Sequence, residues 1–178
     1  MPRQMNAFER ALTRFAASKP GSWFYLNVAN PIDRRLLPLT NGRISLSIGQ
    51  PVLCLEVIGA KSGQMRRTPL LFKEVDGEIA MVASATGRPK HPAWYHNVVA
   101  NPRVKIYAPS GLSGEYIGRV ASPEERERLW PKMVDLYPGF TIYESRASGI
   151  REIPIVVLTR AVAGRAPDGI ESRHDGAG

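Results

Sequence analysis

The sequence predicts a mainly-β domain, an antiparallel β-barrel with short flanking helices, and three observations carry that expectation. From Pro51 onward apolar residues recur with the period of strands, in six runs. The segments between those runs are too short for the helical crossovers that a doubly wound parallel sheet demands. An Asp76-Gly77 pair separates two of the runs, as in a two-residue hairpin turn.

In chain order, Met5, Phe8, Leu12 and Phe15 are spaced as on one helix face, with Arg10 and Arg14 off it, so residues 5–17 read as an amphipathic basic helix. Such a helix packs on a core or lies on a membrane; packing is favoured, because one short helix anchors weakly without a second signal. Lys19-Pro20-Gly21 ends it, and Asn30-Pro31 reads as the N-cap and first-turn proline of a helix through Leu37. Strands are expected at 52–58, 68–75 and 78–84. Pro92 then opens a helix, Ala93 to Val99, that stops at Asn101-Pro102, and strands follow at 103–108 and 114–121. Ser122-Pro123-Glu124-Glu125 has the Ser and Glu of a capping box, opening a helix to about Leu136 that Pro131 should kink. The last run, 152–158, is a strand whose Pro154 favours an edge or a bulge. Residues 161–178 lack periodicity and read as a disordered tail. The expected organisation is a helical segment at 1–40, a barrel at 41–160 and the tail.

A content of 43% hydrophobic and 22% charged residues excludes an intrinsically disordered chain or a fibre. Cys54, alone and within an apolar run, makes no intrachain disulfide, so a reducing, cytoplasmic location is expected, with any peripheral membrane contact at the inner face. No stretch approaches the ~18 uninterrupted apolar residues of a spanning helix. The net charge of +8 points to an anionic partner: nucleic acid, a membrane surface or a polyanionic small molecule. Charge alone does not choose among them. The basic residues recur as short clusters beside turn residues, Arg34-Arg35, Lys61, Arg66-Arg67 and Arg88 with Lys90, a distribution closer to a built site than to a nucleic-acid arm.

Three segments carry chemistry. Gly59-Ala60-Lys61-Ser62-Gly63-Gln64-Met65-Arg66-Arg67-Thr68-Pro69-Leu70 lies between two strands, and its glycines, Lys, Arg and Ser fit an anion cradle of backbone N–H groups and side chains. It is not a Walker loop, since the glycine spacing is wrong and no helix follows; the bland alternative is a solvated basic hairpin. Ser84 to Asn97 leaves a strand through a Gly/Pro loop and enters a helix with Trp94 and Tyr95 at its start. Those rings wall a flat heterocycle or fill core, and for Trp94 in isolation core is the better reading. His91 and His96 lack Cys or carboxylate neighbours at metal-ligand spacing, so no metal site is expected. In the third segment Tyr137, Phe140 and Tyr143 recur every third residue; on a helical turn they share a face that lines a pocket, or they form a packing stripe.

In this order the three segments resemble the deazaflavin (F420)-dependent nitroreductase family, whose pattern runs Gly-x-Lys-Ser-Gly-x-x-Arg-x-x-Pro-Leu, then a Ser-x-Gly-Gly loop into His-Pro-Ala-Trp-Tyr-x-Asn-Leu, then a Tyr-rich segment before Arg-Glu-Ile-Pro-Val. The match covers about residues 50–160. It implies a split β-barrel, like the FMN-binding barrels, with coenzyme F420 in a groove and its phosphate and oligoglutamate tail on basic residues. By that resemblance Lys61, Ser62, Arg66, Arg67, Thr68 and Pro69 line the tail or phosphate, and Ser84, Lys90, Trp94 and Asn97 border the ring system. Tyr143 and Tyr137 are the implied proton donors, and Phe140 stands where some members carry a third tyrosine. Thr86 stands where the pattern has glycine. The implied activity is hydride transfer from reduced deazaflavin to a small organic acceptor, a quinone, activated alkene or nitro compound, with no nucleic acid involved, by a monomer or weak dimer. The readings that compete with it are an FMN- or haem-binding split barrel and a basic module for nucleic acid or anionic membrane.

Overall fold

A computed structural model describes residues 30–46 and 50–161. The expected helix at 5–17 and the tail beyond Ala161 lie outside the described residues. The elements are α1 (Asn30–Leu39), β1 (Val52–Ile58), β2 (Met65–Leu71), β3 (Lys73–Val75), β4 (Glu78–Val82), α2 (Ala93–Ala100), β5 (Arg103–Tyr107), β6 (Gly114–Val120), α3 (Pro123–Leu136), α4 (Gly139–Ala147) and β7 (Ile155–Arg160).

All strand pairs are antiparallel, in the order β2-β1-β5-β6-β7-β4-β3. The first and last strands of that order are one run of chain, parted only by Phe72. The expected strand 68–75 thus begins earlier, at Met65, and changes partner midway. Its first part pairs with β1 and its second with β4, so the sheet curls until its ends meet in a single bent segment. The Phe72 N–H donates to the Pro51 carbonyl at 3.1 Å across the bend. The β3–β4 hairpin turns on Asp76 and Gly77, both at positive φ (55° and 81°), whose twist suits a two-residue hairpin.

Strand periodicity then sorts the core. On β4, Ile79 and Met81 face the barrel interior with Leu53, Leu55, Val57, Ile106, Tyr116 and Leu158, while α2 adds Trp94 and Val98. The alternate residues Ala80 and Val82, with Ile155 and Val157 of β7, pack on Leu129, Met133 and Phe140 of α3 and α4. On β1 the alternate residues Val52 and Cys54 lie beneath Leu37 of α1. Each of these large side chains contributes about 1.5–3 kcal/mol by leaving water.

The capping box is present: the Glu125 N–H donates to Ser122 Oγ, and the Ser122 N–H donates to Glu125 Oε2 at 2.9 Å. The helix continues through Pro131 to Leu136 as one element. The edge reading of the last strand is corrected. β7 lies between β6 and β4, and Pro154 tolerates this because the strand starts one residue later, leaving only the proline carbonyl to accept the Ala83 N–H at 2.9 Å.

Candidate coenzyme site

A groove of about 1410 Å³ opens between the 59–64 hairpin, the exposed start of β2, the 89–97 segment and α1. Seven of its lining residues are Lys or Arg: Lys61, Arg66 and Arg67 from the hairpin and β2, Lys90 and Arg151 on the opposite side, and Arg34 and Arg35 from α1. No Asp or Glu lines it among the described residues. That donor set suits a ligand with several negative charges.

The hairpin is built differently from the expected backbone cradle. The Gly59 N–H donates to the Gln64 carbonyl (2.9 Å), Gly63 N–H to the Gly59 carbonyl (2.8 Å), and Gln64 N–H to Ser62 Oγ (3.3 Å). The Ala60 N–H donates to Asn97 Oδ1 at 3.0 Å. These amides are committed within the protein, so the anion-binding capacity of the hairpin rests chiefly on side chains. Asn101, one turn along α2 from Asn97, donates through Nδ2 to the Ile58 carbonyl at 3.0 Å. Both asparagines therefore tie α2 to the strand end that carries Lys61. Arg66 is partly committed as well, since its Nη2 donates to Ser62 Oγ and Gln64 Oε1.

Across the groove, Ala85 and Thr86 have φ of 47° and 56° and Gly87 follows at 79°. Three consecutive left-handed residues make a tight turn. Thr86 keeps the conformation in which the family pattern has glycine, and its hydroxyl donates to the Ala85 carbonyl at 2.7 Å. A Cβ on Gly87 would stand 2.7 Å from the Tyr143 carbonyl, so this turn seats directly on α4. Arg151 pins the same segment: Nη2 donates to the Ser84 carbonyl (2.7 Å), Nε to the Arg88 carbonyl (2.8 Å), and Nη1 lies 3.1 Å from His91 Nδ1. Burial, then the charge of Arg151, then His96, hold His91 below its ordinary range. Its Nδ1 is thereby suited to accept from Arg151 as a neutral ring.

Of the residues expected from sequence, Lys61, Ser62, Arg66, Arg67, Thr68, Lys90, Trp94 and Asn97 line this one groove. Trp94 does so while 6% exposed, serving the core and the groove together. Pro69 is buried opposite Cys54, away from the groove, and Ser84 stands behind it as an acceptor for Arg151. Tyr137 and Tyr143 are not among its lining residues. Their hydroxyls lie 3.4 Å apart in an aromatic cluster with Phe140, which is buried. The shared helical face is corrected, because α4 starts at Gly139 and Tyr137 reaches the cluster by folding its ring over that glycine. In the sequence Arg34-Arg35 stands only as a basic cluster, and His91 only as a candidate metal ligand. Arg151 was missed as a site residue, although it opens the Arg-Glu-Ile-Pro run.

Comparison with known proteins bears on this geometry. The family model described as F420H(2)-dependent quinone reductase matches residues 34–160. An F420H(2)-dependent quinone reductase of Mycobacterium tuberculosis is 39% identical over 129 residues, 68% of this chain and 83% of that protein. Among solved structures, an F420-H2 dependent reductase (FDR-A) is 39% identical with a TM-score of 0.54, covering 61% of this chain and 93% of its own. A structure described as a domain-swapped dimer is 31% identical with a TM-score of 0.55, covering 79% and 99%. A split barrel, a polybasic groove and these relatives agree: the chain belongs to the F420H(2)-dependent quinone reductase family and is an oxidoreductase whose coenzyme is F420.

Proposed function

We propose that the polybasic groove is where this enzyme holds the anionic part of F420, with Lys61, Arg67 and Lys90 as its principal charged contacts and Trp94 beside the ring system. The observation that carries this reading is that, among the described residues, seven Lys and Arg side chains and no Asp or Glu line one groove whose wall is a Trp-bearing helix. The N-terminus of α2 opens there without a side-chain cap, and the positive end of a helix favours negative charge. Reduced deazaflavin supplies a hydride when bound. The protein's share of the work is therefore to hold, orient and screen, and binding far from the reacting carbon helps fix the geometry at it.

A quinone, activated alkene or nitro group would need a proton after hydride addition. Tyr143, with Tyr137 behind it, is the donor this reading assigns. Support comes from the 3.4 Å approach of the two hydroxyls and from the packing of α4 on the 85–87 turn, which couples the tyrosines to the segment that borders the ring. Quinones are the acceptors to test first, given the family. The deciding experiment titrates the pure protein with oxidised and reduced F420, FMN and NADPH, then adds a quinone to the reduced complex. Selective F420 binding with loss of reduced coenzyme on adding quinone supports the reading; preference for FMN removes it.

Two finer points are proposed with it. For residues 5–17, whose basic, amphipathic spacing suits packing on the barrel or peripheral contact with an anionic membrane, packing is the favoured reading and membrane contact the one put to test; equal pelleting with liposomes of the full chain and a truncation lacking them counts against membrane contact. A monomer in equilibrium with a weak dimer is the proposed assembly, with light scattering across a concentration series as its check. No described helix is long and apolar enough to cross a membrane.

A further inference from the structure

Arg67 occupies a position that the family pattern leaves open, and it is a groove cation tied to a buried acid. Its Nε donates to Glu56 Oε2 at 2.6 Å. Glu56 is a buried acid, 9% exposed, on β1. The sheet register explains the meeting: Glu56 lies directly opposite Arg67 on β2 and Lys105 on β5, so the carboxylate sits between two cations on one face of the sheet. The Tyr107 hydroxyl lies 3.4 Å from both carboxylate oxygens, and its ring is flanked by Arg67 and Lys105 with the charged groups 5.9 and 5.1 Å from the centroid.

A guanidinium held at Nε cannot swing freely. Among the described residues nothing accepts from Nη1 or Nη2 of Arg67, and 43% of its side chain is exposed at the groove. The end-on pair of nitrogens is thus left open to a planar oxyanion in a bidentate contact. Arg66 differs, since its Nη2 is already engaged by Ser62 and Gln64.

We infer that Glu56 is a positioning residue that fixes Arg67 as a bidentate receptor for a carboxylate or phosphate of the coenzyme. The inference rests on the proposed coenzyme groove. It sets two physical effects against each other. By long-range charge alone, removing an acid beside a basic groove strengthens anion binding. By positioning, removing it frees the guanidinium, which must then be ordered at each binding event, and weakens the contact.

The test measures the Kd of F420 for wild type, Glu56→Gln, Arg67→Lys and the double variant, with thermal melts as the check on folding. The expected result is a Kd raised about tenfold by Glu56→Gln, despite the loss of a negative charge beside the groove, because a neutral acceptor grips the guanidinium less firmly than a charged one. Arg67→Lys keeps the charge and loses the fork, so it should weaken binding similarly, raising the KM for coenzyme by a larger factor than it lowers kcat. The double variant should be no worse than Arg67→Lys alone. Should Glu56→Gln fail to fold, the Arg67 Nε–H resonance of the wild-type protein serves instead: slow solvent exchange is expected, and fast exchange overturns the inference. If Arg67→Lys weakens binding while Glu56→Gln leaves it unchanged or tighter, the positioning role falls and the groove assignment stands. If Arg67→Lys leaves binding unchanged, the assignment of Arg67 to the coenzyme falls, and the inference with it.

Discussion

Asn97 Oδ1 accepts the Ala60 N–H at 3.0 Å, joining the helix that carries Trp94 to the hairpin that carries Lys61. Asn97→Ala should free the hairpin and leave Ala60 to water. A lost hydrogen bond of this kind costs about 0.5–1.5 kcal/mol. The expected outcome is a small fall in melting temperature and a severalfold rise in the Kd of F420. Both would be read on the same preparation, with Asn101→Ala, which frees only the Ile58 carbonyl, showing the smaller effect on affinity.

Lys61 lines the groove on the turn of the hairpin. Lys61→Ala should remove a charge-assisted contact worth about 1.5–3 kcal/mol. Coenzyme titration at low salt is expected to show at least a tenfold loss of affinity, shrinking as salt is raised because an exposed charge is screened. Unchanged affinity would take the hairpin out of the site.

The tyrosine pair gives a kinetic prediction. A positioned general acid contributes roughly 10²–10⁴ in rate, so Tyr143→Phe should lower kcat with a quinone by at least about a hundredfold while the Kd of F420 holds. Turnover that survives both Tyr143→Phe and Tyr137→Phe would assign the proton to water. Single-turnover oxidation of the reduced complex would separate chemistry from product release.

Thr86 holds φ at 56°, a conformation that β-branched residues rarely adopt. Thr86→Gly should raise stability by up to about 1.5 kcal/mol, the left-handed penalty of roughly 1–2 kcal/mol less glycine's entropy cost of about 0.5–1 kcal/mol. Chemical denaturation would measure it. A destabilised variant would mean that the Thr86 hydroxyl bond to Ala85 outweighs the strain.

Acid stability should depend on Glu125. Arg119, then the Ser122 amide, hold its carboxyl down from the ordinary 4.5 to about 2. The unfolded chain then takes the proton more readily, so this contribution is complete above pH about 4.5 and is lost as pH falls toward about 2. Glu125→Gln should flatten the stability profile in that window and leave a lower plateau at neutral pH, as followed by thermal melts across pH.

Much of this was legible in the order of residues, where the cause is local. The period of 52–58, the Asp76-Gly77 turn and the Ser122 capping box each follow from interactions within a few residues, and each is present in the fold. The basic hairpin and the Trp94 helix were recognisable because their residue types sit together in the chain. Boundaries were less legible: the strand at 68–75 begins at Met65 and changes partner at Phe72, since pairing rather than propensity sets where a strand ends.

The sequence by itself determined the class of fold, the family and the polybasic character of the site, because strand period, turn chemistry and clustered charge are written in neighbouring residues. Only the tertiary structure decided which of those groups are free to act. Asn97 is engaged by Ala60, the hairpin amides by one another, Arg151 by Ser84 and Arg88, and Arg67 is oriented by Glu56. The physical reason is that a donor's availability depends on the acceptor that folding brings to it, and sheet register and helix docking make that choice between residues far apart in the chain.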